Sequence, residues 1–93
     1  MELDGIAGTG IVVTGAAQGI GEAIARHLAA HGARLALIDR QADEVAALAA
    51  ELNAYGIAAD VTDEASVEAA VAGAAAALGD IAGLVNVAGV QHL

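Results

Sequence analysis

The chain has 93 residues, a length that allows one small domain at most. Its formal charge at pH 7 is −9. Twelve acidic residues oppose three arginines, and this balance excludes binding to nucleic acid or to an anionic membrane surface. Because cysteine is absent, disulfides, thiolate metal ligands and a cysteine nucleophile are excluded as well.

The first residues bear on where the protein works. Met1-Glu2-Leu3-Asp4 is acidic where a signal peptide would be basic, and no run of about 18 apolar residues follows it. The least polar stretch, residues 69–90, is interrupted by Gly79-Asp80 and by Asn86. We therefore expect a cytoplasmic protein that does not bind membranes.

The chain alternates between runs that predict strands and runs that predict helices. Residues 11–14 form a β-branched run typical of a strand that is buried on both faces. Ile20, Ile24 and Leu28 then recur at four-residue spacing, which predicts a helix that ends at Gly32. The later predicted elements are a strand over 34–39, a helix over 43–53, a strand over 57–61, a helix from Thr62 or Asp63 to Gly79, and a strand over 81–87.

This alternation predicts an α/β fold. We expect a Rossmann-type parallel sheet of about four strands in the order 3-2-1-4, with right-handed crossover helices on both faces. Such a sheet is incomplete at the fourth-strand edge, since Leu84, Val85 and Val87 cannot all be covered by a chain of this length. We therefore expect a homo-oligomer, or pairing with a further C-terminal segment. The alternative is an Ala-rich helical bundle.

A glycine-rich segment lies where the first predicted strand ends and the first helix begins. Gly15, Gly19 and Gly21 allow a tight turn and a close approach of a ligand to the backbone. The free N–H groups at the start of the helix favour an anion such as pyrophosphate. An ordinary strand-to-helix turn is the alternative, because the spacing differs from the G-x-G-x-x-G of other dinucleotide-binding folds.

Asp39 ends the second predicted strand and bears on the choice of ligand. A carboxylate there accepts hydrogen bonds from the hydroxyls of an adenosine ribose and repels a 2′-phosphate, which favours NAD over NADP. Arg40 leaves three alternatives open. Its guanidinium could pair with a 2′-phosphate, lie against the adenine face, or be a solvated surface charge.

Four motifs together resemble the cofactor side of the short-chain dehydrogenase/reductase family. In chain order they are Thr14 to Gly21, Asp39, Asp60-Val61, and Asn86-Val87-Ala88-Gly89. The family usually has two asparagines before Ala-Gly, and here Val87 takes the second place. The resemblance implies that residues 1–93 are a dinucleotide-binding domain and the N-terminal portion of a larger fold. Within the family, the stretch from Thr14 to Asp39 and the later Val-Ala-Gly-Val look most similar to 2,3-dihydro-2,3-dihydroxybenzoate dehydrogenases, which implies an alcohol or dihydrodiol substrate.

The resemblance also implies a contact with the dinucleotide at each motif. The backbone of Gln18, Gly19 and Ile20 would line the pyrophosphate, and Asp39 would hold the ribose. Asp60 would face the adenine amino group, and the Val61 N–H would meet a ring nitrogen. The cofactor would be lined beyond the fourth strand by Asn86, Ala88 and Gly89.

The catalytic residues of the family are not evident in this sequence. The family transfers hydride with a serine and a Tyr-x-x-x-Lys pair, in which the lysine lowers the pKa of the tyrosine. The chain contains no lysine, and Tyr55 is followed four residues later by Ala59. Ser66 falls in the first turn of the third predicted helix. We therefore expect structural roles for both residues and no turnover from this chain alone, with a non-catalytic nucleotide-binding module or an engineered half-fold as the alternative.

Two histidines share one face of the first predicted helix. His27 and His31 are four residues apart, a spacing that can bind a metal ion. No third ligand is evident, so we expect both side chains to face solvent near the end of the helix and predict no metal site.

Overall fold

The computed structural model describes residues 4–60 and 62–87. A 3-10 turn over Asp4–Ile6 leads into four strands and three helices that alternate as predicted. The strands are β1 (Gly10–Thr14), β2 (Arg34–Asp39), β3 (Tyr55–Ala58) and β4 (Gly83–Asn86). The helices are α1 (Gly19–Ala30), α2 (Ala42–Leu52) and α3 (Glu64–Leu78). In the part of the chain that is described, no helix is long and apolar enough to cross a membrane.

The strands form one parallel sheet in the order β3-β2-β1-β4. Thr14 at the end of β1 pairs with Ile38 on one side and with Asn86 on the other. Asp39 at the end of β2 pairs with Ala58 at the end of β3. All four strands therefore end at the same edge of the sheet, and the predicted α/β fold with the order 3-2-1-4 is confirmed.

Helices cover both faces of the sheet because successive strand residues point to opposite sides. On one face, α1 and α2 pack against Ile11, Val13, Leu35 and Leu37. On the other face, Ala70, Ala74 and Leu78 of α3 pack against Val12, Ala36 and Ile38. Alanine supplies much of the helix surface that packs against the sheet, including Ala25, Ala49, Ala70 and Ala74.

Helix α1 approaches the sheet through its smallest residues. It buries Gly21 and Ala25, whereas Ile20 beside them is 67% exposed. A Cβ atom on Gly21 would lie 2.0 Å from the carbonyl oxygen of Gly15, so only glycine permits this approach. The four-residue apolar spacing thus predicts the helix correctly but not the residues that it buries most deeply.

The bounds of three strands differ from their predictions. Strand β1 begins at Gly10, one residue before its predicted start, and strand β3 ends at Ala58, before its predicted end at residue 61. Strand β3 begins at Tyr55, not at residue 57, because Asn53 ends α2 in the left-handed conformation with φ of 56°. Tyr55 is thus the first residue of the strand and does not precede it. Strand β4 covers Gly83–Asn86, which is shorter than the predicted 81–87, and Leu84 on it is 62% exposed as expected for this edge.

Candidate functional site

The carboxyl edge of the sheet gathers the polar residues that follow the strands. Thr14, Asp39 and Asn86 are the last residues of β1, β2 and β4. Asp60 lies at the same edge, because it follows Ala59, whose N–H donates to the carbonyl oxygen of Asp39 at 3.1 Å. Open parallel sheets bind ligands in the crevice at this edge.

The segment between β1 and α1 is a tight turn that starts at Gly15, where φ is 68°. The N–H of Ala16 donates to the carbonyl oxygen of Ile38 at 3.2 Å, which fastens the turn to β2. Gln18 caps α1 without a side-chain hydrogen bond, and the first helical bond runs from the N–H of Glu22 to Gln18. The N–H groups of the first turn of α1 consequently have no partner within the helix.

The three glycines of this segment serve different purposes. Gly15 adopts a positive φ, and Gly21 lets α1 approach β1, so the fold itself requires glycine at both positions. Gly19 is exposed, and a Cβ atom placed on it would meet nothing within 4 Å. The packing of the chain therefore does not explain Gly19, which leaves open space where a phosphate can approach the helix start.

Asp39 connects this segment to the start of α2. Its side chain is only 2% exposed, and its Oδ2 accepts a hydrogen bond from the N–H of Ala17 at 3.0 Å. Its Oδ1 accepts from the backbone N–H of Gln41 at 2.9 Å and from Gln41 Nε2 at 3.3 Å. The structure thus brings the glycine-rich turn and the strand-end carboxylate side by side, as one ligand that spans both would require.

Asp60 and Arg40 lie at the β3 side of this edge. Asp60 Oδ1 accepts from the hydroxyl of Thr62 at 2.6 Å and from its N–H at 2.9 Å. These bonds, with a weaker attraction from the charge of Arg40, hold the pKa of the Asp60 carboxyl below its ordinary value. Ser66 Oγ accepts from the N–H of Asp60 at 3.0 Å, and Asp63 caps α3, so both residues are at the helix start as predicted.

Thr14 and Asn86 join strand β1 to the edge strand β4 at the carboxyl edge of the sheet. The hydroxyl of Thr14 donates to Asn86 Oδ1 at 2.8 Å. Asn86 is otherwise exposed. Three further predicted site residues, Val61, Ala88 and Gly89, lie outside the described residues.

Three other residues considered in the sequence lie apart from this edge. Tyr55 begins β3 and is therefore at the opposite, amino edge of the sheet. His27 and His31 are exposed, with ring centroids 4.7 Å apart, and residues 4–60 and 62–87 contain no group of three or more metal-binding side chains. Gln41 was not among the predicted site residues, and its only signal in the sequence is its place two residues after a strand-end aspartate.

A parallel sheet that carries a glycine-rich turn and a strand-end carboxylate at one edge defines the Rossmann class of nucleotide-binding folds. Comparison with known families gives the particular one. The model of a family described as short chain dehydrogenase matches residues 9–93. The chain belongs to this family.

Two curated relatives and one solved structure illustrate the similarity. The chain is 51% identical over 87 residues to a D-threitol dehydrogenase of Mycolicibacterium smegmatis, with 88% of this chain and 34% of the relative covered. It is 42% identical to a 2,3-dihydro-2,3-dihydroxybenzoate dehydrogenase of Bacillus subtilis, with 97% of this chain and 36% of the relative covered. A 3-ketoacyl-(acyl-carrier-protein) reductase from Brucella melitensis, solved with NADH, has a TM-score of 0.82 and 34% identity over 85% of this chain and 33% of its own. The chain thus spans about a third of the length of the proteins it matches.

Proposed function

We propose that this chain is the NAD-binding, N-terminal portion of an NAD-dependent oxidoreductase of the short-chain dehydrogenase family. The observation that carries the proposal is the contact between the Ala17 N–H and Asp39 Oδ2, which sets the helix start and a ribose acceptor side by side. The open space at Gly19 supports it, because this glycine has no role in the packing of the chain. The family match does not favour a non-catalytic module or an engineered half-fold.

Each residue of the site would hold one part of the dinucleotide. The backbone of Gln18, Gly19 and Ile20 would line the pyrophosphate, because an anion is stabilised at the start of a helix. Asp39 is the acceptor for the adenosine ribose. At the β3 side, Asp60 would face the adenine amino group, with Arg40 beside it on the same edge. The bound dinucleotide supplies hydride transfer, and the described residues bind and orient it.

Charge at the site favours NAD over NADP. A 2′-phosphate would lie beside the buried carboxylate of Asp39, and the first turn of α2 adds Asp43 and Glu44 nearby. Arg40 supplies one opposing charge. Three acids against one arginine give this part of the edge a net negative charge, which would repel a 2′-phosphate.

The substrate is proposed from the relatives. The D-threitol dehydrogenase and the 2,3-dihydro-2,3-dihydroxybenzoate dehydrogenase both support an alcohol or dihydrodiol as the hydride donor. We further propose that the protein works in the cytoplasm and assembles as a homo-oligomer, with the exposed Leu84 edge covered in the assembled fold.

A calorimetric titration with NAD and NADP tests the proposal. We expect NAD to bind more tightly than NADP, and Asp39→Ala to weaken NAD binding by about 1 to 2 kcal/mol because charged hydrogen bonds to the ribose are lost. Asp80→Ala is the matched control, since it removes the same charge from an exposed position before β4, at the amino edge of the sheet, and should leave affinity nearly unchanged. Absence of NAD binding, or equal affinity in Asp39→Ala and the wild type, would remove the assigned role.

A further inference from the structure

The carboxylate of Asp39 has little hydrogen-bonding capacity left in the described structure. Its two oxygens offer about four acceptor positions, and three N–H groups of the chain already occupy three of them. Oδ2 receives one donor, from Ala17, while Oδ1 receives two, both from Gln41. A ribose diol brings two hydroxyl donors to adjacent oxygens, so one existing bond must break before both hydroxyls bind.

The bond most easily broken is the one from the Gln41 side chain. Its Nε2–Oδ1 distance of 3.3 Å is long, whereas the backbone bonds to the same carboxylate measure 2.9 and 3.0 Å. Gln41 precedes α2 as its N-cap residue, yet its side chain makes no capping hydrogen bond. The carboxamide is therefore not needed to start the helix.

We propose that the Gln41 carboxamide occupies the position of a ribose hydroxyl until the dinucleotide binds. It satisfies the buried Asp39 carboxylate in the protein without ligand, and it moves aside when the adenosine ribose enters. Gln41 then sets affinity, because every ligand with a ribose diol must first break this contact. The inference deepens the proposed function and rests on Asp39 as the ribose acceptor.

The test compares ADP with 2′,3′-dideoxy-ADP on the wild type and on Gln41→Met, by calorimetry. Methionine has a similar length but no N–H donor, and the backbone N–H at position 41 still binds Asp39. We expect Gln41→Met to bind ADP about two- to fivefold more tightly, because the competing hydrogen bond is absent. Affinity for dideoxy-ADP should not rise, since that ligand never displaces the carboxamide.

A second variant and the wild-type data separate the possible failures. Gln41→Ala should also tighten ADP binding, whereas unchanged or weaker ADP binding in both variants would overturn the role of Gln41. If the wild type binds ADP and dideoxy-ADP equally, Asp39 is not the ribose acceptor and the proposed function fails first. A gain that is equal for both ligands would show that Gln41 acts by bulk and would also overturn the inference.

Discussion

The two ends of the same parallel sheet differ in how firmly the chain engages its own polar groups. At the amino edge, Arg34 donates from Nε to the carbonyl oxygen of Gly8 at 2.8 Å and from Nη1 to that of Leu78 at 2.7 Å. These bonds link the start of β2 to the segment before β1 and to the end of α3. The chain is also closely packed around Gly10, because a Cβ atom there would lie 2.3 Å from the carbonyl oxygen of Asp80.

The carboxyl edge leaves comparable groups available. Gly19 has open space around it, Ile20 is 67% exposed, and the side-chain bond from Gln41 to Asp39 is long. The contrast shows that residues at one edge are committed to the fold, while residues at the other can exchange partners with a ligand. Substitutions at the two edges should accordingly separate stability from binding.

The largest loss of stability is expected from Gly10→Ala at the amino edge. The added methyl group would collide with the Asp80 carbonyl, a backbone atom that cannot rotate away. We expect the free energy of unfolding to fall by about 1 to 3 kcal/mol, as for overpacked cores. Urea denaturation measures it, and ADP affinity of the folded variant should equal that of the wild type. A stability equal to that of the wild type would show that the amino edge has room for a methyl group at position 10.

Gly19→Ala is the counterpart at the carboxyl edge. Alanine meets no atom of the chain there and favours helix, so stability should be unchanged or slightly higher. ADP affinity should fall about tenfold or more, or ~1.4 kcal/mol, because the methyl group occupies the path of the pyrophosphate. The same urea and calorimetric measurements apply to both variants. Loss of stability with unchanged ADP affinity would show that Gly19 serves the fold and not the binding of the pyrophosphate.

The sequence was sufficient for the topology because few arrangements satisfy its constraints. Four β-branched or apolar runs separated by crossover helices predict a parallel sheet with right-handed connections. The order 3-2-1-4 is that of the Rossmann fold, which the glycine-rich turn and Asp39 indicated. Their placement at one edge follows because both lie at strand ends, whereas the hydrogen bond from the Ala17 N–H to Asp39 was not predicted. The start of β3 was not predicted either, because the left-handed Asn53 and pairing with β2 fix it, and neither leaves a clear local pattern.

The contact of the Gln41 side chain with Asp39 also could not be predicted from the sequence. Gln41 contacts Asp39 through a particular rotamer, and no spacing rule specifies such a contact between neighbours. The exposure of Ile20 was hidden for a related reason. Apolar spacing identifies a helix, but close packing at Gly21 and Ala25 decides which side faces the sheet.

Arg34→Ala should have a moderate effect on stability and none on binding. Two hydrogen bonds to backbone carbonyls disappear, and we expect a loss of about 1 kcal/mol because the side chain is largely exposed. Arg34→Lys should recover only part of it, since an ammonium lacks the planar fork that reaches both carbonyls. Thermal unfolding of the three proteins measures this series. Full recovery by lysine would show that charge, not the paired geometry, holds the edge together.

The smallest effect is expected from Asp60→Asn, which asks whether an acid at the carboxyl edge also supports the fold. The bonds from Thr62 lower the pKa of the Asp60 carboxyl from its ordinary value of 3.8. Its contribution to stability is therefore present above pH 3.8 and is lost as the pH falls below this value toward the lowered pKa of the folded state. Urea midpoints of the wild type and the variant should differ slightly at pH 6 and converge in strong acid. Curves that stay parallel down to about pH 2 would mean that the charged form of Asp60 adds nothing to the fold, and that this edge serves binding alone.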